Sequence, residues 1–413
     1  MILRAGLFCL VLISLGGCGG AFADRFTGGV EAARLSTTAP RPAAFDRWID
    51  GFRPRALDQG IEPRVFDRAF AGIGYNEDSL RLDSHQPEFT RPIWAYLDSA
   101  VSDTRIENGQ EMLDEHARLL DRIEAEYGVE REVVVAIWGL ESSYGQLRGT
   151  TPIIETLATL AYEGRRTAFF EEQLIAALRI LQAGDVTARD MEGSWAGAMG
   201  HTQFIPTSYL AYAVDFDGDG RRDIWDDDPS DALASAAAYL ARFGWTRGQP
   251  PLAEVRLPRD FDTARAGQRR PLAEWRALGV QAQAGQALPA EGDATLIFPA
   301  GAQGPALLTF DNFRVIKRYN NADAYAIAIA HLADRLRGGA AFVADWPRDD
   351  RPLTADEREE LQRVLARSGH YGGEIDGRVG SGTLAAVRDW QAANGMAPDG
   401  YVSLALLERM RAR

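Results

Sequence analysis

Hydrophobic residues recur at helical spacing along most of the chain. Between residues 45 and 244 they return every three or four positions, which is the period of an amphipathic helix. Residues 249–313 lack this helical spacing and contain turns rich in glycine, proline and glutamine. Within them lie three short β-type runs, at 253–257, 294–298 and 306–310. Helical spacing returns at residues 319–337. The pattern predicts a mainly α domain over residues 45–337, with a small β insertion at about 249–313.

The last part of the chain reads as a separate small module. Residues 338–352 contain paired glycines, two prolines and a charge cluster, and we interpret them as a linker. Residues 353–413 begin with a capping box formed by Thr354 and Glu357. An apolar stripe at helical spacing follows, formed by Leu361, Val364 and Leu365. A second helix is predicted at residues 383–394, and no long-period internal repeat is evident.

The first 23 residues have the pattern of an export leader. Arg4 precedes an apolar run over residues 5–15, which is too short to span a bilayer as a helix. Residues 24–44 are small and polar, and we interpret them as a tether. The only two cysteines, Cys9 and Cys18, lie in the leader, so no disulfide is expected in the mature protein.

Two processing sites compete at the end of this leader. Residues 15–18 (LGGC) resemble a bacterial lipobox, in which Cys18 is acylated and becomes the mature N-terminus. Gly19 is not the aspartate that signals retention in the inner membrane. Residues 21–23 (AFA) instead fit ordinary signal cleavage after Ala23. The first site predicts an outer-membrane lipoprotein facing the periplasm, and the second predicts a soluble periplasmic protein.

The charge balance narrows the class of partner. The formal net charge of −14 argues against nucleic acid and anionic lipid, since both attract basic surfaces. A neutral sugar polymer remains compatible with it. The five histidines are scattered, so no zinc site is evident.

Glu141 is the candidate catalytic acid. The helical pattern at residues 131–141 places it on one face with Val134, Ile137 and Trp138. Apolar surroundings favour the neutral carboxyl and raise its pKa, which general acid catalysis near neutral pH requires. The alternative is a glutamate at a helix end that forms a salt bridge.

Three ordered motifs resemble the membrane-bound lytic murein transglycosylase B family, glycoside hydrolase family 103. Residues 138–145 (WGLESSYG) are similar to its catalytic motif, and residues 318–320 (RYN) to a third block. Between them, residues 193–209 read GSWAGAMGHTQFIPTSY and resemble its Gly-x-Met-Gly-x-x-Gln-Phe-x-Pro-Ser signature. Thr207 stands where serine is usual. The resemblance implies a lysozyme-like core.

The resemblance implies a role for each matching residue. Glu141 takes the place of the catalytic acid. The residues matching positions that line the sugar cleft are Ser194, Met199, Gln203 and Phe204. Those matching the aromatic and amide groups around the acid are Tyr96, Tyr239, Tyr319, Asn320 and Tyr325.

The family's reaction would use one carboxyl group twice. Paired-carboxylate glycosidases need a second acid, and no second carboxylate matches the family here. The resemblance implies that Glu141 protonates the oxygen between N-acetylmuramic acid and N-acetylglucosamine. It then acts as a base on the C6 hydroxyl, which closes a 1,6-anhydro ring. No cofactor is expected for this chemistry. The alternatives are a hydrolytic muramidase and a non-catalytic peptidoglycan-binding scaffold.

Residues 215–226 (DFDGDGRRDIWD) have the spacing of a calcium loop. The predicted ligands are the side chains of Asp215, Asp217, Asp219 and Asp226 and the carbonyl group of Arg221. The family resemblance supports this loop, whose expected role is structural. The alternative is an acidic turn exposed to solvent.

The C-terminal module is similar to a small three-helix peptidoglycan-binding domain. The resemblance rests on residues 361–362, 369–380, 383–391 and the Asp399-Gly400 turn. Glycan strands of peptidoglycan are therefore the expected partner of both parts of the chain. A module of this kind raises the local enzyme concentration on an insoluble substrate. The alternative is a helical cap without a ligand.

Overall fold

The computed structural model describes residues 41–84, 91–283 and 286–413. Within these ranges the chain forms helices α1 (Ala43–Asp58), α2 (Pro63–Ala69), α3 (Glu77–Ser84), α4 (Ile93–Ala100), α5 (Asp103–Glu115), α6 (Ala117–Tyr127), α7 (Arg131–Ser142), α8 (Ile153–Glu163), α9 (Thr167–Ala183), α10 (Pro206–Tyr212), α11 (Ser230–Arg242), α12 (Leu272–Ala277), α13 (Asp311–Tyr319), α14 (Asp323–Leu336), α15 (Ala355–Arg367), α16 (Ser381–Ala393) and α17 (Leu404–Arg411). The strands are β1 (Thr151–Pro152), β2 (Glu192–Gly193), β3 (Leu252–Arg256), β4 (Arg269–Pro271), β5 (Gln281–Ala282), β6 (Asp293–Ile297) and β7 (Ala306–Thr309). The predicted mainly α fold with a small β insertion is confirmed.

The predicted leader lies outside the described residues. This applies to residues 1–23, including the lipidation candidate Cys18, and to the tether up to residue 40. Helix α1 begins at Ala43, within the last residues assigned to the tether. Among the described residues, no helix combines the length and apolar character needed to cross a membrane.

The described chain divides into two compact units. The first unit contains residues 91–144 and 233–413, and the second contains residues 41–84 and 145–232. In the second unit, α8 and α9 pack against each other and against α1, α2, α3 and α10. Phe45, Phe52 and Phe170 are fully buried there, so the apolar faces predicted from the sequence form its core.

Helices α7 and α14 form the centre of the first unit. Ten consecutive residues of α7, from Val133 to Ser142, are buried, and α14 buries nine in a row from Tyr325 to Ala333. The two helices pack together, and α4 and α5 cover α14. A helix that is apolar on every side must lie inside the fold, so α7 is fixed from all directions.

The β insertion is a five-stranded antiparallel sheet in the order β4-β6-β7-β3-β5. The three strands foreseen from the sequence are β3, β6 and β7, which form the middle of the sheet. Leu308 on β7 pairs with Leu296 on β6 and with Ala253 on β3, and Trp275 of α12 packs beneath them. The short edge strands β4 and β5 and helix α12 were not predicted.

The helix predicted over residues 319–337 is wrong at its start. Tyr319 ends α13, the next helix begins at Asp323, and Asn320 between them is extended. The side-chain oxygen of Asn320 accepts a hydrogen bond from the backbone N–H of Ala322 at 3.1 Å. Asparagine competes in this way for backbone donors, and the helical pattern does not reveal such a break.

The connecting segment, residues 338–352, is bound along its length to the first unit. Both carboxylate oxygens of buried Glu254 on β3 accept backbone N–H bonds, from Val343 and Ala344, at 2.8 Å. Phe342 stacks on the ring of His331 at 4.2 Å. Arg348 forms a bidentate ion pair with Asp98 of α4 at 2.7 and 2.9 Å. A freely moving linker does not make such contacts.

The C-terminal module is a bundle of three helices, α15 to α17. Leu361, Leu365, Val387, Trp390 and Leu407 form its core. The predicted capping box is present at the start of α15: Thr354 accepts from the backbone N–H of Glu357, and the Glu357 carboxylate accepts from that of Thr354 at 2.8 Å. The second helix begins at Ser381, two residues earlier than predicted.

We predict that Glu254→Ala will free the connecting segment. The change removes two charge-assisted hydrogen bonds to the backbone N–H groups of Val343 and Ala344, each worth about 1.5–3 kcal/mol. Limited proteolysis should then cut between residues 338 and 352 faster than in the parent protein. Glu291→Ala, an exposed change before β6, is the matched control. Equal cleavage of both variants would contradict the latching role of Glu254.

Candidate active site

Glu141 lies one residue before the end of α7, where the helix meets a left-handed turn. Ser143 and Tyr144 have φ angles of 50° and 60°, and Gly145 follows at 82°. Residues other than glycine rarely adopt this backbone conformation, so the turn is strained. It bonds back onto the helix, since Ser143 N–H donates to Gly139 and Tyr144 N–H to Trp138.

Tyr144 holds this turn in place. Its buried ring fits against two helix glycines: a Cβ atom on Gly139 of α7 would lie 2.6 Å from the ring. A Cβ atom on Gly109 of α5 would lie 2.5 Å from its hydroxyl oxygen. The hydroxyl group donates a hydrogen bond to the carbonyl oxygen of Arg105 at 2.6 Å. The close fit and this bond offset the strain and fix the end of α7.

Glu141 is buried, with 3% of the residue exposed. Its Oε1 atom accepts a hydrogen bond from the hydroxyl group of Tyr325 at 2.6 Å, and Oε2 has no hydrogen-bond partner among the described residues. Burial raises the pKa of Glu141 to about 8, while the bond from Tyr325 acts in the opposite direction. The group is therefore protonated at neutral pH, as a general acid must be. A salt bridge, the alternative considered for this residue, is not formed with any described residue.

Tyrosines predicted around the acid gather in the first unit. Burial, the charge of Glu141 and the phenol of Tyr319 raise the pKa of Tyr325 well above its usual value, and Tyr96 adds a smaller effect. The ring of Tyr239 contacts that of Tyr319 edge to face at 5.1 Å. Its hydroxyl group donates to the carbonyl oxygen of Arg318 at 2.5 Å. Asn320 follows Tyr319 at the break between α13 and α14, where its amide oxygen caps the backbone of Ala322.

The other predicted cleft residues form a tight loop in the second unit. Met199 and Phe204 exchange two backbone hydrogen bonds at 2.9 and 3.1 Å, and both side chains are buried. Gln203 has a φ angle of 54°, and its amide nitrogen donates to the carbonyl oxygens of Arg148 and Gly200. The Ser194 hydroxyl accepts from the N–H of Ala198 at 3.1 Å. The contact of these four side chains with sugar stays a prediction.

Arg148 connects this loop to residues 225–227, and sequence reasoning missed it. Its guanidinium donates to the carbonyl oxygens of Trp225 and Asp226 at 2.9 and 2.7 Å and pairs with the Asp227 carboxylate. The same group lies 3.1 Å from the Nε2 atom of His201. These partners lie 53 to 79 residues from Arg148 along the chain, so no local pattern reveals them.

The predicted metal ligands are partly brought together. The carboxylates of Asp215, Asp217 and Asp219 each place an oxygen within 4.8 Å of the others. Asp215 also accepts from the N–H groups of Gly218 and Gly220, at 2.8 and 3.0 Å. Asp226 is not part of this cluster, and it accepts from the N–H of Asp228 at 3.1 Å.

Asp231, another residue missed from the sequence, shapes the acidic loop. Its buried carboxylate accepts from three backbone N–H groups of the loop, those of Phe216, Asp217 and Asp223, at 2.7, 3.3 and 2.8 Å. Burial raises the pKa of Asp231, and these bonds act against the rise. Its position five residues past the loop, in the first turn of α11, gave no motif that could reveal it.

Comparison with protein families decides the class of this site. The family model described as "Transglycosylase SLT domain" matches residues 44–334, and a model of peptidoglycan binding domains matches residues 354–410. The chain belongs to the SLT transglycosylase family. This membership confirms the family, the lysozyme-like fold and the enzyme class predicted from the sequence.

Three proteins of known sequence or structure are similar to this SLT transglycosylase. Membrane-bound lytic murein transglycosylase B of Escherichia coli (strain K12) is 32% identical over 248 residues, which are 58% of this chain and 66% of that protein. SltB3 from Pseudomonas aeruginosa, solved in complex with NAG-anhNAM-pentapeptide, is 52% identical with a TM-score of 0.85, covering 89% of this chain and 99% of SltB3. The lytic transglycosylase Slt35 of Escherichia coli, solved in complex with calcium, is 28% identical with a TM-score of 0.60, covering 73% of this chain and 94% of Slt35.

The buried acid of this transglycosylase predicts a stability cost that grows with pH. With a pKa of about 8 against an ordinary value of 4.5, folded Glu141 keeps a proton that the unfolded chain releases between these pH values. The free energy of unfolding therefore falls as pH rises through that window. Glu141→Gln removes the effect, so the variant should be more stable at pH 7 by on the order of 3 kcal/mol, since one pKa unit corresponds to about 1.4 kcal/mol.

Chemical denaturation at pH 5 and pH 8 measures this difference. The variant and parent should be close in stability at pH 5 and diverge at pH 8. Glu126→Gln, an exposed change on α6, serves as the control that should follow the parent at both pH values. A constant offset between parent and Glu141→Gln would show that the Glu141 carboxyl is already ionised at pH 5.

Proposed function

We propose that the protein cleaves the β-1,4 bond between N-acetylmuramic acid and N-acetylglucosamine in peptidoglycan and leaves 1,6-anhydro-muramoyl ends. The observation that carries this proposal is the buried, neutral Glu141 bonded to Tyr325. Two findings support the substrate: SltB3 was solved with NAG-anhNAM-pentapeptide, and a second structure of it holds NAG-NAM-pentapeptide.

Glu141 serves first as the acid and then as the base. At neutral pH its carboxyl holds the proton that the departing glycosidic oxygen needs. Once that proton has left, Tyr325 donates its hydroxyl hydrogen to the carboxylate that remains, which lowers the energy of the charged form. The carboxylate then takes the proton of the C6 hydroxyl as the anhydro ring closes. The proton returns to Glu141, so the residue is ready for another turnover.

We assign the surroundings of Glu141 to the aromatic and amide side chains of Tyr96, Tyr239, Tyr319 and Asn320. Aromatic rings offer flat apolar faces to sugar rings, and amides bond their hydroxyl and acetamido groups. Tyr239 and Tyr319 are almost fully buried, so their main contribution is to support Tyr325. Tyr96 and Asn320 keep part of their surface accessible and are the better candidates for direct sugar contact. On the second unit we assign direct sugar contact to half-buried Ser194, while buried Met199, Gln203 and Phe204 shape the loop that presents it.

The products of purified sacculi test the reaction. We expect mass spectrometry to find muramoyl ends that lack one water relative to reducing ends. Glu141→Gln should lower kcat roughly 10³-fold, because general acid–base catalysis contributes on the order of 10²–10⁴. Activity of the parent should fall as pH rises through about 8, where the acid form is lost. Reducing-end muramic acid among the products would instead establish a hydrolytic muramidase, and undiminished activity of Glu141→Gln would remove Glu141 from the mechanism.

We infer that the acidic loop holds a structural calcium ion. Calcium takes six to eight oxygen ligands, and three carboxylates already converge here. Asp215, Asp217 and Asp219 would bind it with their side chains, Arg221 with its carbonyl oxygen, and Asp226 would complete the set. The calcium complex of Slt35 supports this assignment. No step of the reaction passes through the ion.

Calcium should raise the melting temperature of the protein. A ligand that binds only the folded state adds about 2.7 kcal/mol of stability at one hundred times its Kd. Scanning calorimetry with excess calcium and with a chelator measures the shift, which Asp217→Asn should abolish. Asp58→Asn, an exposed change on α1, is the control that should keep it. The same melting temperature in calcium and in chelator would refute the site.

We propose that the protein works in the periplasm, on the wall. Peptidoglycan glycan strands are its partner. The match of residues 354–410 to peptidoglycan binding domains supports binding of these strands by the C-terminal module. The name of the Escherichia coli relative, membrane-bound, supports acylation of Cys18 and an outer-membrane anchor over cleavage after Ala23. The mass of the mature N-terminus distinguishes the two, since only the first leaves a lipidated cysteine. We assign residues 45–337 to the catalytic domain and residues 353–413 to the wall-binding domain.

A further inference from the structure

The C-terminal module contains the same turn twice. In the first copy, the side-chain oxygen of Gln362 on α15 accepts a hydrogen bond from the backbone N–H of Gly377 at 2.9 Å. Its amide nitrogen donates to Oδ1 of Asp376 at 3.1 Å, and that oxygen also accepts from the N–H of Arg378 at 2.9 Å. The glutamine is fully buried, so it fixes the position of the aspartate.

The second copy repeats each of these contacts. Gln391 of α16 accepts from the N–H of Gly400 at 2.9 Å and donates to Oδ1 of Asp399 at 2.7 Å. That oxygen accepts from the N–H of Tyr401 at 2.9 Å. Gly377 and Gly400 both have left-handed φ angles, 67° and 75°. Because both turns lead into the next helix of the module, Asp376 and Asp399 occupy equivalent positions.

The second turn already has a binding partner, the loop between β6 and β7. The remaining oxygen of Asp399, Oδ2, accepts a hydrogen bond from the backbone N–H of Ala302 at 2.7 Å. Tyr401 packs over Gly301, where an added Cβ atom would lie 3.0 Å from the ring. This turn therefore binds a backbone amide group between β6 and β7 and docks the module on the β insertion.

The first turn presents the same atoms to solvent. Asp376 is exposed, and no residue in the described part of the chain donates to its Oδ2 atom. Arg378 stands where Tyr401 stands in the second turn, and its side chain is exposed. Ile375 before it is an exposed apolar residue. The backbone bond from Arg378 holds the pKa of Asp376 below its usual value, so the carboxylate is charged at neutral pH.

We propose that the Asp376 turn is a ligand site of the module and that it binds an amide N–H group of peptidoglycan through Oδ2. The contact between Asp399 and Ala302 shows the binding mode within the same molecule. The proposal rests on the proposed wall-binding function and assigns it a site. Peptidoglycan offers amide N–H groups in its acetamido groups and in its stem peptides. Arg378 adds a cation that can pair with the carboxylates of stem peptides.

Asp376→Asn tests the site in the full-length protein. The Glu141→Gln background prevents digestion of the sacculi used as the probe. Asparagine can keep the Oδ1 contacts with Gln362 and Arg378, but it places an N–H donor where Oδ2 stood. We expect affinity for sacculi to fall about tenfold, the size expected for losing one charge-assisted hydrogen bond. Asp389→Asn makes the same charge change at an exposed site of α16 and should bind like the parent.

Further arms separate the site from the wall-binding function itself. A chain ending at residue 338 keeps only the catalytic domain to bind peptidoglycan, so it should bind sacculi more weakly. If it does while Asp376→Asn and Arg378→Gln both bind like the parent and melt at the same temperature, the site is overturned and the wall-binding function stands. If the truncated chain binds undiminished, wall binding by the module is overturned together with the site. Sacculi stripped of stem peptides by an amidase identify the donor: a defect that persists on them assigns it to the acetamido groups, and one that disappears assigns it to the stems.

Discussion

The hydrogen bond from Tyr325 to Glu141 is the contact on which the first unit depends. A carboxyl group inside a protein is costly when charged, and burial alone drives it toward the neutral form. The bond joins the two most buried helices of the unit, α7 and α14, and acts against that drive. The result is a carboxyl group whose two protonation states are close in free energy near neutral pH. A residue that must give up a proton and take one back requires that balance.

Holding Glu141 in this position demands a strained helix end. If α7 continued as a regular helix, Tyr144 could not fold back onto Gly139 and Gly109. The left-handed turn at Ser143 and Tyr144 makes that contact possible, and both glycines are required because any Cβ atom would overlap the tyrosine. The segment SSYG therefore acts as a structural constraint within the motif that resembles the family's catalytic one. Its strain is balanced by packing between α5 and α7, which lie in the same unit as the acid.

A feature could be predicted from the sequence when the interacting residues are close along the chain and their side chains form a pattern. The apolar face of residues 134–138 made Glu141 a candidate buried acid, because helical spacing brings those side chains together, but it left a salt-bridged glutamate as the alternative. Strands β3, β6 and β7 were recognisable because buried strands carry runs of apolar residues. Asn320 broke a predicted helix through a bond two residues away, which hydrophobic periodicity does not register. Arg148, Asp231 and Glu254 act on backbone groups, and backbone groups have no sequence signature.

The bound connecting segment changes the physical role of the wall-binding module. A module on a flexible linker raises local concentration in any orientation, and its benefit depends on linker length. Here Glu254, the pair of Asp98 with Arg348, and the contact of Asp399 with Ala302 fix the module on the unit that carries Glu141. Simultaneous binding then pays little conformational entropy, but it is available only to strands whose geometry fits both sites. From the contacts that dock the module we therefore expect a selection among wall strands in place of a general attraction to the wall.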